Sequence, residues 1–390
     1  MKVLHVIPSI SPLRGGPSVA ALEMTAALRQ VGVEASILTT NDHGSGSRSD
    51  LPIGRWTDVD SVPVLMLGRW AAPVVALRDF AFTPGLARWL RTHGNEFDLL
   101  HVHALFSYPS TAAMAFARGA GLPYVVSTIG QLCVWSLQQG PRRKHLYLRL
   151  LERTNLEGAA ALHFTTTAEQ EEARQLGLTA PGLVLPLGVK APLGLPMPEA
   201  APPVRFLFLS RLHPKKRLEV LLDALALVQA RAPGASWQLA IAGDGEADYM
   251  AALRRRADDL GVGDRCRWLG FLEGQVKWEA LAKAHWFVLP SASENFGIAA
   301  IEALAAGTPP ILSPEVAIAE QIQAAGAGWV VPGQAEPLAE RLIAALAGPP
   351  AGMVAAARQL AAEAFSWEVI AAKLKAAYGE SLQARRRPLL

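Results

Sequence analysis

The 390-residue chain has only 2 cysteines, Cys133 and Cys266, in distant segments. They form no CxxC pair, which excludes a disulfide framework and a cysteine zinc cluster and makes a reducing cytoplasm the expected compartment. Charge is scarce as well: 18% of residues are Asp, Glu, Lys or Arg, and the formal net charge is +3. Such a chain is mildly basic but lacks the dense basic stripe of a nucleic-acid binder, so no nucleic-acid partner is expected. No uninterrupted apolar run reaches the length of a membrane span. The opening "MKVLHVIPSISP" has an apolar run too short for a signal-peptide core and reads as a first strand. HExxH, GxSxG and GxxxxGK[ST] are missing, as are an aspartate pair for a divalent ion and the G-x-G-x-x-G dinucleotide fingerprint. Zinc peptidases, elbow-type serine hydrolases, P-loop NTPases and nicotinamide dehydrogenases therefore find no footing, and no metal site is expected.

What is present is apolar and alternating. Hydrophobic residues make up 51% of the chain, enough for a large buried core, and the length suits two domains rather than one. Short β-rich runs, "VLHVIPS", "EASILTT", "FDLLHVH", "PYVVSTIG" and "AALHFTT", alternate with Ala- and Leu-rich helical stretches. After the Pro- and Gly-rich "LGVKAPLGLPMPEAAPP" the alternation restarts with "VRFLFLSRL", "WQLAIAGDG", "RCRWLGFL", "HWFVLPS", "PPILS" and "GWVV". Apolar strands alternating with helices predict two parallel sheets, each covered on both faces. Ligands of such sheets sit outside the carboxyl ends of the strands, and two facing sheets make a cleft.

Six places carry candidate chemistry. In "FLFLSRLHPKKRLEVLL", Arg211, Lys215, Lys216 and Arg217 cluster where a strand ends and a helix begins. Cations oppose the helix dipole there, and a bound phosphate resolves the conflict; the alternative is a solvated basic turn. Gly15 and Gly16 in "SPLRGGPSV", and Gly243 and Gly245 in "IAGDGEAD", let backbone approach a ligand, each a weak signal alone. In "SASENFGIAAIEALAAG", Glu294 stands before an apolar helical run and Glu302 lies inside it. A buried carboxylate is costly without a partner. The two can receive the vicinal hydroxyls of a sugar or ribose while the amides around Phe296 and Gly297 meet a phosphate or further hydroxyls, or Glu302 can form a structural bridge with a buried Arg or Lys. His101 and His103 share one strand face; His101 reads as a packed histidine, and no third metal ligand stands at a recognisable spacing. The basic stretch 141–158, "PRRKHLYLRLLERTNLEG", reads first as an amphipathic core helix and second as a patch for peripheral membrane contact.

Taken in order, "SRLHPKK", "AGDGE" and E-x7-E from Glu294 to Glu302 resemble the retaining glycosyltransferases of family 4; order and spacing match across nearly the whole chain, and the motifs of its second half are strong together. "STIGQLCVWSLQQGPRRKHLYLRLLERTNLEGAAALHFTT" is similar to the acceptor-side segment of the bacterial polysaccharide and lipopolysaccharide members. The resemblance implies the GT-B fold: an α/β chain of two Rossmann-like parallel-sheet domains facing across a cleft. The boundaries it suggests are an acceptor-side domain at 1–187, a linker at 188–203, a nucleotide-sugar donor domain at 204–365 and a helix at 366–390 crossing back to the first domain.

It also implies roles. Arg211 and Lys216 grip the donor diphosphate and stabilise its departure, with Gly16 approaching from the first domain. Glu294 and the backbone of Asn295, Phe296 and Gly297 hold the donor sugar, Glu302 holds the ribose, and Gly243 adds a donor contact. The implied reaction moves a hexose with retention from a UDP- or GDP-sugar to a sugar, glycolipid or other hydroxyl acceptor, needing no metal and no cofactor. The implied place is the cytoplasm, at the inner face of the membrane if the basic segment docks there. Two departures stand out: Ile129 occupies the position of a sugar-contacting histidine, for which His103 is a weak substitute, and Arg217 replaces a common glycine. The rival functions are a non-catalytic carbohydrate- or nucleotide-binding protein on the same fold and a sugar-nucleotide epimerase.

Overall fold

The computed structural model describes residues 1–44, 49–70, 80–198 and 202–386. The chain divides into two compact units, Met1–Gly188 with Trp367–Leu390, and Val189–Ser366.

The first unit is an 8-stranded sheet in the order β3-β4-β2-β1-β5-β6-β7-β8. Its strands are β1 (Lys2–Val6), β2 (Glu34–Thr40), β3 (Trp56–Val59), β4 (Val62–Leu67), β5 (Leu99–His103), β6 (Tyr124–Ser127), β7 (Ala161–Phe164) and β8 (Gly182–Val184). Every pairing is parallel except β3 with β4, a hairpin closed by Asp60 and Ser61, both at positive φ, as a primed turn needs. β1, β5 and β6 are buried almost throughout because both faces are covered. One face carries Leu4, Val6, Leu100, Val102 and Val126 into the main core, beside Met114 and Ala117 of the helix Tyr108–Ala120. The other face is roofed by the helix Gly16–Gln30 and by the final helix, Trp367–Arg386. Trp367 donates its indole N–H to Glu23 at 2.8 Å, and Tyr378 is fully buried against His101.

The second unit is a 6-stranded, all-parallel sheet in the order β11-β10-β9-β12-β13-β14. Its strands are β9 (Val204–Leu209), β10 (Trp237–Ala242), β11 (Cys266–Gly270), β12 (Trp286–Leu289), β13 (Pro310–Leu312) and β14 (Trp329–Val330). Phe206, Leu207, Phe208, Phe287 and Val288 are wholly buried, each contributing about 2 kcal/mol by transfer from water. Strand order reverses direction between β9 and β12, and between β1 and β5 in the first unit; a crevice opens at the carboxyl ends of such neighbours. Between Gly188 and β9 the described residues form no helix or strand beyond the isolated bridge of Val189 with Ser366; residues 199–201 of the expected linker lie outside the described residues.

The stretch 141–158 departs from a core helix. Its turns Pro141–Tyr147, Leu148–Glu152 and Arg153–Glu157 run on as one helix with a wider turn in the middle. Leu146, Leu150 and Leu151 are 58%, 65% and 48% exposed, while Glu152, Asn155 and Leu156 point inward. The leucine spacing was amphipathic, but the inward face near Glu152 is polar, so those leucines are left to solvent. No helix among the described residues is long and apolar enough to cross a membrane.

Candidate active site

In the second unit the loops that follow β9 and β12 lie side by side, joined by Ala292 N–H donating to the Lys215 carbonyl at 2.8 Å. The β9 loop runs through Arg211, which is exposed, to the single turn Pro214–Lys216. His213 caps that turn by accepting from Lys215 N–H at 3.1 Å. Burial and then the cations of Arg211, Lys215 and Lys216 hold its imidazole pKa below the usual value, so it caps as a neutral acceptor. Lys216 turns across to Glu294, and the two form a close ion pair with both side chains mostly buried. Sequence reading brought these two residues to one ligand; the fold brings them to each other.

Glu294 is fixed by backbone pairing with the loop after β13: its N–H donates to Glu315 at 2.9 Å and its carbonyl accepts from Ala317 at 3.0 Å. The chain then passes Asn295 and Phe296, which is buried edge-on to Phe365, and turns into the helix Ile298–Ala306 at Gly297. Gly297 has φ 90°, and a Cβ there would lie 3.1 Å from Val316, so the turn is made for glycine. No side chain caps this helix and no acidic residue stands in its first turn, so its leading amides and positive dipole end are open to an anion.

Glu302, 9% exposed, sits one turn further along that helix. Its Oε1 accepts from Lys277 Nζ at 2.7 Å, a cation supplied by the helix Gly274–Lys283. The structural bridge foreseen for a buried Glu302 therefore exists, and a sequence reading could not name its partner. Oε2 of Glu302 still offers acceptor sites. Gly243 is required by packing: at φ 138° its Cβ would fall 1.9 Å from the Ser210 carbonyl oxygen. The loops after β9 and β10 are pressed together there, with Leu212 N–H donating to Asp244 at 2.7 Å. Arg217 adopts the left-handed conformation, φ 52°, in place of a glycine, and its guanidinium reaches the Gly333 carbonyl at 3.3 Å.

In the first unit, Gly16 opens the helix Gly16–Gln30, which again has neither a side-chain cap nor an acidic first turn. The loop before it is tied down by Asp42, buried after β2, which accepts from Arg14 at 2.7 Å and from Arg69 at 2.8 Å. His103 is not a free side chain: it is 2% exposed, its Nε2 is 2.9 Å from His5 Nδ1, and it stacks on His101 at 4.3 Å. It also borders a small enclosed cavity shared with Pro17, Ile129 and His163.

The nitrogens of His5, His101 and His103 lie within 4.8 Å of one another. Hydrogen bonding nonetheless occupies both nitrogens of His101, with Tyr378 at 2.6 Å and Ser127 at 2.7 Å. His163 accepts from Ser127 at 2.7 Å and donates to the Leu185 carbonyl at 2.9 Å, which sets the direction of the whole row. Because that carbonyl can only accept, Ser127 must donate to His163, His101 to Ser127, and Tyr378 to His101. Burial holds the imidazole pKa values of His101, His103 and His163 low and drives that of His5 down to about 3. These histidines form a neutral hydrogen-bonded layer.

Residues 197–365 match the family described as glycosyl transferases group 1, and residues 15–188 match the glycosyl transferase 4-like domain. Among characterised relatives, the chain is 26% identical over 392 residues to a GDP-mannose:cellobiosyl-diphosphopolyprenol alpha-mannosyltransferase of Komagataeibacter xylinus, covering 98% of this chain and 94% of the relative. It is 28% identical to a D-inositol 3-phosphate glycosyltransferase of Mycobacteroides abscessus, covering 99% and 89%. Among solved structures it resembles sucrose-phosphate synthase of Thermosynechococcus elongatus, with TM-score 0.76 at 20% identity, covering 98% of this chain and all of the other. Anabaena HepE in complex with UDP-glucose matches with TM-score 0.68 at 20% identity, covering 98% and 100%. The sucrose-phosphate synthase and HepE likenesses bear on the fold alone.

Proposed function

Given that the chain belongs to the glycosyltransferases, with a 4-like domain followed by a group 1 domain on the GT-B fold, we propose that it transfers a hexose with retention from a nucleotide-diphosphate sugar to an acceptor hydroxyl in bacterial polysaccharide or glycolipid synthesis. The observation that carries this reading is the junction of the β9 and β12 loops. There Arg211, Lys216 and the uncapped helix at Gly297 bring positive charge and open amides to one place, beside two carboxylates. A diphosphate answers the positive groups; sugar and ribose hydroxyls answer Glu294 and Glu302.

In this mechanism the bond from the anomeric carbon to the diphosphate oxygen breaks, and a bond to the acceptor oxygen forms on the same face. The acceptor proton passes to the departing phosphate oxygen. Arg211 and Lys216 stabilise the charge growing on the leaving group, the role a metal ion plays elsewhere, so the reaction proceeds without one. Glu294 orients the donor sugar with Asn295, Phe296 and Gly297, and Lys277 holds Glu302 ready for the ribose. The exposed Leu146, Leu150 and Leu151 beside Arg142, Arg143 and Arg149 support a cytoplasmic enzyme resting on an anionic membrane face, where a lipid-linked acceptor is presented.

The test is the stereochemistry of transfer. Proton NMR of the product from a UDP- or GDP-sugar of known anomeric configuration is expected to show that configuration kept, with magnesium or with EDTA. An inverted product, or turnover abolished by EDTA, overturns the mechanism.

A further inference from the structure

Non-glycine residues rarely adopt the left-handed conformation, and for a β-branched side chain it is a true outlier, costing about 1–3 kcal/mol. In the first unit three such residues stand in the loops at the carboxyl ends of β5 and β6: Ala104 at φ 67°, Phe106 at φ 54° and Ile129 at φ 51°. Strain of this kind persists only where surrounding groups hold it, and it gathers where a ligand is positioned.

The groups that hold it are two buried carboxylates. Glu169, 1% exposed, stands in the first turn of the helix Thr167–Gln175, capped by Thr166. A Thr-x-x-Glu start normally folds the glutamate back on its own helix. Here the carboxylate reaches back to Thr165, just before its own helix, and also spans to the loop after β6. Its Oε1 accepts from Thr128 Oγ1 and from Gly130 N–H, both at 2.5 Å, on either side of Ile129. Its Oε2 accepts from Thr165 N–H at 2.8 Å and Thr165 Oγ1 at 2.9 Å. Glu152 does the same for the loop after β5, accepting from the Phe106 N–H and from Thr111 Oγ1 at 2.5 Å. The two loops are then joined, because Gln131 accepts from Leu105 N–H.

We propose that Glu169 is a positioning residue for transfer: through Thr128 and Gly130 it fixes the strained Ile129 loop, and through Gln131 the loop after β5, as the first unit's rigid platform for the acceptor. The proposal rests on the transferase reading and adds to it a residue that touches neither donor nor reacting atoms. The platform borders the start of the helix Gly16–Gln30, since Ile129 and Pro17 line the same cavity. A carboxylate suits this task because one side chain satisfies four donors, whereas an amide of the same shape turns its NH2 towards some of them. An error of about 1 Å in a reacting group can cost about a hundredfold in rate, so loosening this loop is read in kcat.

The test compares full-length Glu169→Gln and Thr128→Val with the unaltered chain. Release of UDP or GDP is followed from UDP-glucose and GDP-mannose, with a bacterial lipid-linked glycan extract as acceptor. Binding of UDP and GDP is measured by calorimetry, and amide exchange across residues 128–131 by mass spectrometry. Glu169→Gln is expected to lower kcat about tenfold or more, with donor KM and nucleotide affinity within about twofold. Exchange should quicken at Ile129 and Gly130. Thr128→Val, which deletes one donor and leaves the fold intact, should move kcat the same way by about threefold. Activity per folded molecule that is unchanged in Thr128→Val, and in any folded Glu169→Gln, overturns the proposal. An unaltered chain that binds neither nucleotide and releases neither overturns the transferase reading beneath it, which is a separate result.

Discussion

At the scale of single residues, the decisive pairs are Lys216 with Glu294 and Lys277 with Glu302. Each cation neutralises a mostly buried carboxylate. On the proposed mechanism Lys216→Ala removes the charge that meets the departing diphosphate, and turnover is expected to fall by about 10²–10³, the cost of deleting one preorganised donor to a developing anion. Steady-state kinetics check this, with far-ultraviolet circular dichroism confirming an unchanged fold; turnover near the unaltered rate contradicts the role. Glu294, Glu302, Lys216 and Arg211 were legible in the sequence because each stands beside a recognisable break: a strand end, a Pro turn, or a charge inside an apolar helix. Lys277 was not legible. It lies 25 residues before Glu302 on a separate helix, and periodicity assigns a residue to a face without naming what that face meets. The same limit hid Asp42, Glu152 and Glu169, whose partners come largely from other loops and helices.

At the scale of elements, the strands were the clearest feature. The six apolar runs of the second half are β9 to β14, and the five named in the first half include β1, β2, β5, β6 and β7. β3, β4 and β8 escaped notice: β3 is an exposed edge strand with polar residues, and β8 has only 3 residues. Gly243 illustrates how an element boundary can depend on one atom. An alanine there places a methyl against the Ser210 carbonyl in a conformation it resists, so Gly243→Ala should destabilise the second unit by about 2 kcal/mol or more, measurable by urea denaturation. The helix through 141–157 yields a surface prediction. Leu150→Glu combined with Arg149→Glu should weaken co-sedimentation with phosphatidylglycerol vesicles, since each arginine near an anionic surface contributes about 1 kcal/mol. Equal binding by the double variant excludes this face as the membrane contact.

For the molecule as a whole, the histidine layer of the first unit makes stability a function of acidity. An unfolded histidine takes up a proton near pH 6.5, whereas His5 in the fold does so only near 3, and His101, His103 and His163 are likewise lowered. Below about 6.5 the unfolded chain binds more protons than the folded one, so stability is lost as pH falls through that range, by up to about 1.4 kcal/mol per pH unit for each such histidine. Melting curves taken from about pH 7.5 down to about pH 4 should show this decline, and His5→Phe should flatten it. A melting temperature independent of pH over that range contradicts a neutral layer. The two-unit α/β plan was readable from alternation, and the family from its motifs; the histidine layer was not, because its members come from β1, β5, β6, β7 and the last helix. The central claim, that the second unit receives a nucleotide-diphosphate sugar, is tested most directly by a thermal-shift panel of UDP, GDP, ADP and their glucose and mannose conjugates. At a hundred times its dissociation constant a true ligand stabilises the fold by about 2.7 kcal/mol. The account predicts that one nucleotide class raises the melting temperature, with or without magnesium, and that Glu302→Ala abolishes the shift. No shift from any nucleotide, or an equal shift in Glu302→Ala, contradicts it.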